Sequence, residues 1–571
     1  MTDARPEPAA AQPPIRSQVR TAVARAWARA FMSGNLPQIE RDQPVPAVEV
    51  ERPANPEHGD LATNLAMKLA KPLRRAPIQI AQAIADELAW EIANAPAQSP
   101  LASASVAAPG FLNVRVSNAT LARTLDGILA APADWGRISV VRPRQVNVEF
   151  VSANPTGPLT IGNARGAFVG DLLCRVLEAG GQRVTREYYF NDAGGQIRNL
   201  GASVVALKRG EPIPEDGYHG DYVEDLLAQL PDPVWAAANE PGVDAADAIG
   251  QWAARQVRGG IEASLTHLGV RFDVWKSEAS LHADGWVGRA IEKLRERGHV
   301  YEKDGAIWFA STAFGDDKDR VIIRSNGEPT YFAADIGYVA EKFSRGYDHL
   351  IYIWGADHHG TVARVRNAAE AMGFDQQAVQ MLLYSWVRFV RDGVEVSMSK
   401  RAGNFITLDE LLAEVGVDAA RWFFASRGAT SAIDFDIELA KKQSAENPVY
   451  YVQYAHARIA SILRKAAEVG LTPAATLDPA ALEGAPEAAL VRSIVRYPEV
   501  VEDAVLVEET HGITAYATEL ATTFHAFYRD ARVIEESEPD RSRARLALAE
   551  AARVTLASAL GLLGISAPDR M

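Results

Sequence analysis

The chain has 571 residues, of which 48% are hydrophobic and 23% charged, and its 59 lysines and arginines against 73 aspartates and glutamates give a net charge of −14. This length excludes a small disulfide scaffold or a lone binding module and predicts about three or four domains with large cores. The net negative charge excludes a uniformly basic protein that coats nucleic acid without regard to sequence. It does not exclude a protein that gathers its basic residues on one face.

The chain's single cysteine, Cys174, excludes an intramolecular disulfide and a thiolate zinc cluster. The first twenty residues lack the basic start and apolar core of a signal peptide. No run approaches the roughly 18 apolar residues that span a bilayer. These features predict a cytoplasmic protein in a reducing compartment, without membrane association.

The N-terminal segment, residues 1–135, is predicted to be a small α+β domain. After an Ala- and Pro-rich leader, short helical patterns alternate with strand-like pieces such as residues 110–116. Ala-, Pro- and Ser-rich stretches at residues 93–108 and 130–132 indicate loops and a linker.

Residues 136–437 are predicted to form a parallel α/β sheet. Residues 145–151 alternate apolar and polar side chains and run into a turn, after which apolar residues recur at helical spacing. A second strand, turn and helix begin at residues 350–354. Two such units this far apart indicate one open parallel sheet interrupted by an insertion around residues 208–277.

Residues 438–571 have helical spacing without a convincing strand, which predicts an all-α bundle. The predicted fold class is therefore α/β, with a Rossmann-like parallel-sheet catalytic domain that carries insertions. An N-terminal α+β domain precedes it and the C-terminal helical bundle follows it.

The turn at residues 154–166 is the first candidate for chemistry. It opens a predicted helix, where free backbone N–H groups and the positive end of the helix dipole favour a phosphate. Gly157 and Gly162 would let a nucleotide approach the backbone. Neither a Walker loop nor a G-x-G-x-x-G motif is present, and an ordinary tight turn has the same Gly and Pro content.

The second candidate is the Ser-Met-Ser-Lys run at residues 397–400. A lysine in a loop near Gly393 can neutralise charge on departing pyrophosphate, although a solvated surface loop has the same composition. Thr407 and Glu410 then predict a capping box at the start of a helix.

Taken together, the two segments resemble the HIGH and KMSKS motifs of the class I aminoacyl-tRNA synthetases. Five further segments make the chain similar to the arginyl-tRNA synthetases: VEFVSANPTGP (148–158), YYFNDAG (188–194), WGADHH (354–359), NPVYYVQYAHAR (447–458) and GISAPDRM (564–571). The similarity extends from residue 58 to the last residue. It implies ATP-dependent ligation of L-arginine to tRNA(Arg) through an arginyl-adenylate, with release of pyrophosphate and AMP and with an activation step that requires bound tRNA.

The resemblance implies that arginine contacts Glu149, Asn154, Tyr331, Asp335 and His358. Carboxylates are the natural partners of a guanidinium fork, and Asp335 with Glu149 would supply them. Tyr331 and Asp335 stand four residues apart and would share a helical face. The alternative is an Asp335 that pairs with a structural Arg or Lys.

ATP is expected to contact both motifs. The resemblance assigns it Pro155, Gly157, Thr160, Gly162, Asn163, Asp357, Met398, Ser399 and Lys400. The catalytic residues among them are Thr160, Gly162, Asn163 and Lys400. Mg²⁺ is expected to arrive on the phosphates of ATP, without zinc and without an organic cofactor. The adjacent histidines of residues 358–359 lack the spacing of a helical zinc site, and core histidines are their alternative role.

The sequence departs from the family at two positions, because Thr160 and Asn163 stand where the HIGH histidines are expected. Both can donate a hydrogen bond, but neither carries positive charge. Ser397 likewise replaces the first lysine of KMSKS. An alternative is therefore a catalytically impaired paralogue that binds tRNA or arginine, and a third is a class I synthetase for another amino acid.

The tRNA is expected to contact both ends of a monomeric protein. The resemblance assigns the anticodon loop to Tyr454, Arg458, Arg464, Tyr528, Arg532 and Met571, since aromatic rings and guanidinium planes stack on splayed bases. Phe111 and Asn113 are expected at the tRNA elbow, on the D loop. Each of these residues is also compatible with ordinary helix packing or a solvated surface.

Overall fold

The computed structural model describes residues 13–39, 43–192, 194–396 and 406–571. Its N-terminal region contains α1 (Ile15–Met32), β1 (Leu61–Thr63), α2 (Leu65–Leu73), α3 (Pro77–Asn94), β2 (Leu101–Ala107), β3 (Phe111–Val116) and α4 (Asn118–Ala130). The three strands form an antiparallel sheet with β3 in the centre. The strand predicted at residues 110–116 is confirmed as β3.

The middle of the chain alternates strands and helices. Its first half contains β4 (Gln145–Phe150), α5 (Ile161–Ala179), β5 (Arg183–Phe190), α6 (Gly195–Arg209), α7 (Asp221–Gln229), α8 (Asp232–Ala238), α9 (Ala245–Leu268), β6 (Val274–Ser277), α10 (Glu278–Ala283) and α11 (Trp286–Glu296). Its second half contains β7 (Val300–Lys303), β8 (Ala306–Phe309), β9 (Arg320–Ile323), α12 (Tyr331–Ser344), β10 (His349–Gly355), α13 (His359–Ala371), β11 (Val379–Tyr384), β12 (Val387–Arg391), β13 (Val394–Glu395), α14 (Leu408–Val415), α15 (Val417–Ala425), β14 (Ile433–Asp436) and α16 (Ile437–Lys441).

A five-stranded parallel sheet lies at the centre, in the order β11-β10-β4-β5-β6. The strand order reverses direction between β4 and β10, so the loops that follow these two strands diverge and leave a crevice. Both strands were predicted from sequence, and so were the helices α5 and α13 that follow them.

The central strand β4 differs from its sequence pattern. Alternating apolar and polar residues are typical of a strand with one solvated face. Val146, Val148 and Phe150 are buried as expected, but Asn147 and Glu149 are buried too. The sheet is therefore covered on both faces, and the polar side chains of β4 lie inside the protein.

The predicted insertion at residues 208–277 also differs at its end. Helix α6 packs along α9, as expected for a helical insertion. Its last four residues, however, form β6, which pairs with β5 as an edge strand of the parallel sheet. A separate antiparallel sheet, β7-β8-β9, lies between β6 and α12. Strands β13-β12-β14 form another sheet beside the central one.

The C-terminal region is helical throughout its described residues after β14. Its helices are α17 (Pro448–Glu468), α18 (Ala485–Val495), α19 (Tyr497–Val507), α20 (His511–Asp530) and α21 (Pro539–Leu562). The predicted fold class, a parallel α/β sheet with a helical C-terminal region, is confirmed. None of the described helices is long and apolar enough to cross a membrane.

Buried Arg421 joins three segments where the bundle meets the sheet. Its Nε donates to the Leu563 carbonyl at 2.7 Å, one terminal nitrogen donates to the Leu268 carbonyl at 3.1 Å, and the other pairs with Asp171. Gly564 has φ +68°, and a Cβ there would lie 2.3 Å from this guanidinium. The end of α21 is therefore hydrogen-bonded through one side chain to α5 and to the end of α9.

Candidate functional site

The candidate site lies at the edge of the parallel sheet where the strands end. All five strands run in the same direction, so their carboxyl ends meet at this edge. The turns after β4 and β10 border the crevice, and the start of α10 follows β6 directly. Ligands of open α/β sheets bind in such a position.

The turn after β4 has a strained backbone. Val151 and Ser152 have φ values of +68° and +45°, a region that β-branched valine rarely adopts. The Ser152 hydroxyl accepts a hydrogen bond from the Tyr189 amide at 3.2 Å, and the Tyr188 hydroxyl donates to the Ala153 carbonyl at 2.8 Å. The neighbouring strand β5 thus stabilises the turn, and strain held in this way is typical of functional sites.

The N-terminus of α5 presents two unengaged polar side chains. Thr160 occupies the N-cap position without capping the helix, and Asn163 lies in the first turn. Neither side chain forms a hydrogen bond with another described residue, and both are partly exposed. Their donors are therefore free to meet a ligand at the positive end of the helix dipole.

The other residues of this turn leave room beside those donors. A Cβ at Gly162 would have Thr160 Oγ1, 4.0 Å away, as its nearest neighbour, and one at Gly157 would make ordinary contact with Tyr222. Pro155 is buried. The protein's own packing does not require either glycine, so their predicted role in ligand approach stays a prediction.

The residues that follow the segment containing Lys400 lie against this turn. Met398, Ser399 and Lys400, all predicted to contact ATP, lie outside the described residues. After them, the Ile161 amide donates to the Ile406 carbonyl at 3.1 Å and the Leu408 amide donates to the Leu159 carbonyl at 2.9 Å. The chain therefore returns to the start of α5 directly after this segment.

The predicted capping box at the start of α14 is confirmed. The Glu410 amide donates to Thr407 Oγ1 at 3.1 Å, and the Thr407 amide donates to Glu410 Oε2 at 2.7 Å. The capping box begins α14 directly after Ile406, whose carbonyl is hydrogen-bonded to the start of α5.

An acidic pocket, defined by Glu149, Asp335 and Glu278, lies on the β5–β6 side of the crevice. Asp335 and Tyr331 are one turn apart on α12, as predicted, and the Tyr331 side chain is 75% exposed. A cavity of about 430 Å³ opens beside them. Its lining includes Asn191, Gln196, Glu278, His282 and Tyr331.

Asn154 is hydrogen-bonded to two residues that line this cavity. Its Nδ2 donates to Gln196 Oε1 at 2.8 Å, and its Oδ1 accepts from the Asn191 amide at 3.4 Å. Four of the five residues predicted to bind arginine, Glu149, Asn154, Tyr331 and Asp335, therefore lie at or beside the acidic pocket.

The Asp335 carboxylate has no cation and no hydrogen-bond donor as partner among the described residues. Burial, and then the negative charges of Glu149 and Glu278, raise its pKa to about 7. A partly buried, unpaired carboxylate is unfavourable unless a cation arrives. This side chain is therefore the group in the pocket with an open position for a guanidinium.

Glu149 differs from the expectation that it, with Asp335, meets the guanidinium directly. Lys342 Nζ donates to Glu149 Oε2 at 2.6 Å, and Trp354 forms a second hydrogen bond with this carboxylate. Burial raises the pKa of Glu149, whereas the charge and hydrogen bond of Lys342 lower it. The sequence is also compatible with an Asp335 that pairs with a structural Arg or Lys. Such a cation is present, but it is Lys342 and it pairs with Glu149.

A satisfied ionic cluster lies below the pocket. Arg345 donates to both oxygens of buried Glu187, at 2.7 and 2.8 Å, and Asn147 Nδ2 donates to Glu187 Oε2 at 2.7 Å. Burial acts to raise the pKa of Glu187, but Lys342, Arg345 and the Tyr338 hydroxyl together lower it to about 2. The cluster accepts a hydrogen bond from the side-chain nitrogen of Asn147 and, through Lys342, binds one oxygen of Glu149, whereas Asn147 Oδ1 has no hydrogen-bond partner among the described residues.

His358 and Asp357 lie in the short turn after β10, and both are exposed. His358 Nε2 is 3.7 Å from Asp357 Oδ2, and its ring centroid is 5.6 Å from that of Trp354. They border the crevice near the turn of α5. Within the described ranges, no group of three His, Cys, Asp or Glu side chains is arranged to hold a metal ion.

A second cavity, the bundle pocket, lies between α17, α20 and the end of the chain. Its volume is about 710 Å³. It brings together all six residues predicted to contact the anticodon: Tyr454, Arg458, Arg464, Tyr528, Arg532 and Met571.

Arg458 is the centre of the bundle pocket. Its guanidinium carbon lies 4.7 Å from the Tyr454 ring centroid and 5.3 Å from that of Tyr528, and it donates to the Tyr454 hydroxyl at 2.8 Å. His525 Nδ1 lies 3.3 Å from Arg458. Burial, and then Arg458, lower the pKa of His525 to about 4, so this imidazole is neutral at pH 7.

In the N-terminal sheet, the predicted elbow residues differ in exposure. Phe111 and Asn113 both lie on β3 and share a face, as predicted from their spacing. Phe111 is 40% exposed, whereas Asn113 is only 7% exposed because β3 is the central strand. Phe111 is therefore the more accessible of the two for a base.

The structure adds four residues to the acidic pocket that the sequence analysis missed: Tyr189, Glu278, Lys342 and Trp354. Glu278 follows β6, and its position at the sheet edge would have been found if β6 had been recognised as a parallel strand. Lys342 lies seven residues after Asp335 on α12, a helical repeat that places both on one face. Trp354 and Tyr189 lie near the ends of parallel strands.

Comparisons with known proteins agree with this geometry. Three family models match: "Arginyl tRNA synthetase N terminal domain" at residues 15–116, "tRNA synthetases class I (R), catalytic domain" at residues 250–445 and "DALR anticodon binding domain" at residues 452–571. A protein of Geobacter sp. (strain M21) named arginine–tRNA ligase is 44% identical over 567 residues, covering 98% of this chain and 100% of its own. The chain belongs to the arginyl-tRNA synthetase family.

Other relatives extend this likeness. The protein of the same name from Bacillus subtilis (strain 168) is 42% identical over 539 residues, covering 93% of this chain and 96% of its own. The structure of Thermus thermophilus arginyl-tRNA synthetase, 24% identical, covers 97% of this chain and 100% of its own with a TM-score of 0.74, which supports the fold. The predicted resemblance to the arginyl-tRNA synthetases is confirmed.

Proposed function

We propose that this arginyl-tRNA synthetase ligates L-arginine to tRNA(Arg) in two steps at the crevice between β4 and β10. In the first step, a carboxylate oxygen of arginine attacks the α-phosphorus of ATP, and pyrophosphate leaves. In the second, a ribose hydroxyl of the terminal adenosine of tRNA attacks the arginyl carbonyl, and AMP leaves. The unpaired carboxylate of Asp335 in an acidic pocket is the observation that supports arginine as the substrate.

Arginine binds with its guanidinium against Asp335 and Glu278 and with Tyr331 over its side chain. A planar fork of donors paired with carboxylates discriminates arginine from lysine, which presents a single point charge. Asn154, beside the pocket, and His358, in the turn after β10, contact the α-amino and carboxylate end. Glu149 contributes negative charge from below, since Lys342 binds one of its oxygens.

ATP binds with its phosphates at the N-terminus of α5. Thr160 and Asn163 donate to phosphate oxygens, beside Pro155, Gly157 and Gly162, and Asp357 contacts the ribose. Met398, Ser399 and Lys400 close over the nucleotide, with Lys400 neutralising the leaving pyrophosphate. Mg²⁺ comes with ATP and is held mainly by phosphate oxygens.

The replacements at the HIGH positions are compatible with activity. Thr160 and Asn163 each retain a hydrogen-bond donor that no described residue occupies, at a helix terminus that already favours negative charge. Relatives named arginine–tRNA ligase that are 42–44% identical over nearly the whole chain favour an active enzyme over an impaired paralogue. We therefore assign the chain to the active arginine–tRNA ligases.

The tRNA contacts two separated surfaces. The anticodon loop binds in the bundle pocket, where its bases stack on Tyr454, Tyr528 and the Arg458 plane, with Arg464, Arg532 and Met571 at the rim. Phe111 stacks at the tRNA elbow, and Asn113 supports it from the same strand. The domains with these roles are residues 1–135, 136–437 and 438–571.

We further propose a monomer that works in the cytoplasm. Each proposed substrate site is built from one copy of the chain, and the single cysteine, Cys174, is buried and unpaired.

Charging of tRNA(Arg) with radiolabelled arginine tests the function directly. The full-length protein should form arginyl-tRNA in the presence of ATP and release one AMP for each arginine transferred. Lysine in place of arginine, and tRNA in which the arginine anticodon is altered, serve as controls. A folded protein that forms no arginyl-tRNA at micromolar concentration would contradict the proposal.

A further inference from the structure

Lys342 is a buried cation that the proposed reaction does not yet use. Its side chain is 0% exposed, and Nζ donates to Glu149 Oε2 at 2.6 Å. The ammonium also lies 4.0 Å from the Tyr352 ring centroid and 4.3 Å from that of Tyr338. Glu149 is thus its single carboxylate partner within hydrogen-bond distance among the described residues, and aromatic faces enclose it on two sides.

Such a pair is not explained by stability alone. Removing two charges from water is unfavourable, and well-packed apolar residues of similar volume are often equally or more stabilising. Buried Glu187 does not need Lys342 as a direct partner, because Arg345 already donates to both of its oxygens. Since stability does not explain the Lys342–Glu149 pair, a function in the adjacent acidic pocket is the explanation to test.

The charge of the pocket depends on this pair. Glu149, Asp335 and Glu278 lie close enough for the first and last to act on Asp335. Like charges in one site compete for protons, so a second uncompensated carboxylate makes it harder for Asp335 to stay ionised. Lys342 offsets the charge of Glu149 and so limits this competition.

We propose that Lys342 is a positioning residue for arginine recognition: by holding Glu149 through Oε2 and offsetting its charge, it keeps Asp335 available as the carboxylate that receives the guanidinium. This inference rests on the proposed arginine site. Lys342 does not contact arginine in this arrangement. It acts on Glu149, and Glu149 in turn acts on Asp335.

The ionisable groups around the pair come from five elements. They are Glu149 on β4, Glu187 and Tyr189 on β5, Glu278 on α10, Tyr352 on β10, and Asp335, Tyr338, Glu341 and Arg345 on α12. Arg345 binds Glu187 and Glu341 and does not bind Glu149. Loss of Lys342 therefore leaves Glu149 without a close cation.

The test measures kcat/KM for arginine between pH 6 and 9, at saturating ATP and tRNA, for K342M, K342R, E149Q and the double variant K342M/E149Q. Titration of the arginine α-amino group is common to all variants and cancels when each profile is divided by that of the wild type. Circular dichroism melting checks that each variant is folded.

In K342M we expect KM for arginine to rise about fivefold at pH 7 and about tenfold at pH 6, while kcat changes less than threefold. These factors correspond to an upward move of about one pH unit in the midpoint of the pH profile, from an Asp335 pKa of about 7. K342R should restore most of the wild-type profile. K342M/E149Q should bind arginine better than K342M, with a midpoint below that of the wild type, because the repulsion has gone.

A folded K342M with an unchanged pH midpoint would overturn the inference, and so would a double variant no better than K342M. If K342M does not fold, the double variant provides the test, and an unshifted midpoint there is equally decisive. D335N separates this inference from the proposed site. If D335N binds arginine like the wild type, the pocket assignment itself fails, whereas loss in D335N without any effect in K342M rejects only the role of Lys342.

Discussion

The acidic pocket and the bundle pocket are two ligand sites of opposite character in one chain. In the acidic pocket, three carboxylates surround a partly buried position, and Asp335 has no partner among the described residues. In the bundle pocket, guanidinium groups and aromatic rings already contact one another, as Arg458 does with Tyr454 and Tyr528. The first site leaves a charge unpaired for its ligand, whereas in the second the central guanidinium is paired before any ligand binds.

This difference follows from the size of the two ligands. An amino acid offers few contacts, so each contact must be strong, and a charge pair in a low-dielectric site is strong. A tRNA offers a large surface, and stacked bases on exposed rings contribute about 1–3 kcal/mol each. A single change should therefore have a large effect in the acidic pocket and a small one in the bundle pocket.

The largest effect is expected for D335N. Removing one partner of a buried charge pair costs about 3–5 kcal/mol, so kcat/KM for arginine should fall by roughly 10²- to 10³-fold in the charging assay, with KM for tRNA unchanged. D225N, an exposed change on α7, is the control. A fall of less than tenfold would remove the proposed contrast between the two pockets.

The same variant should be more stable than the wild type without substrate. The pKa of Asp335 in the folded protein, about 7, lies above its unfolded value of about 3.9, so this carboxylate destabilises the fold increasingly as pH rises from about 4 to 7, and the effect levels off above 7. D335N should therefore melt at a higher temperature than the wild type at pH 8 and show little difference at pH 4.

The next largest effect is expected at the turn of α5. In T160A/N163A the two free donors are lost, and the rate of ATP–pyrophosphate exchange should fall on the order of 10²-fold, with KM for arginine within threefold of the wild type. T160H/N163H is the matched variant. A large gain with both histidines would show that Thr160 and Asn163 limit the rate, and we expect no more than a few-fold gain.

Lowering the pH from 8 to 6 is expected to change KM for arginine about tenfold. Asp335 is raised to a pKa of about 7, so at pH 6 only about a tenth of it is ionised and ready for a guanidinium. KM for arginine should therefore rise about tenfold from pH 8 to pH 6. KM for tRNA should stay flat, because His525, with a pKa near 4, is neutral over this range. Parallel changes in both constants would contradict the comparison.

The smallest effects are expected in the bundle pocket. R458A and Y528A should each raise KM for tRNA about five- to tenfold, as expected for one stacking contact at an exposed site, and leave KM for arginine unchanged. R529A on the same helix α20, whose exposed side chain pairs with Asp530, is the control. An effect of R529A as large as that of R458A would indicate general electrostatics rather than stacking.

The parts of the structure that depend on local pattern could be predicted from sequence. Strand β4 follows from an alternating pattern and β10 from an apolar run, each ending in a turn, and the capping box at Thr407 follows from two residues three apart. Part of the bundle pocket could also be predicted from local sequence pattern. Tyr454 and Arg458 are four residues apart on α17, so helical geometry brings them to one surface. Tyr528 lies on α20, but Arg532 follows the end of that helix, so their shared surface does not follow from helical spacing.

The remainder depends on contacts between distant segments. Glu149 and Lys342 are 193 residues apart, and no local pattern links them. Buried Asn147 on β4 likewise donates to Glu187, whose other partners, Tyr338 and Arg345, come from α12 and from the residue that follows it. Strand β6 is four residues long and is defined by its pairing with β5. Without it, Glu278 could not be recognised as part of the pocket.

The hydrogen bonds of Arg421 have a consequence for the shape of tRNA that the protein accepts. This one guanidinium holds the end of α21 to α5, whose N-terminus is the proposed ATP site. The bundle pocket and the crevice therefore stand at a fixed separation and angle. We expect the protein to select its tRNA partly by overall dimensions, and an RNA that matches the anticodon bases but not this span should be rejected before either end is fully seated.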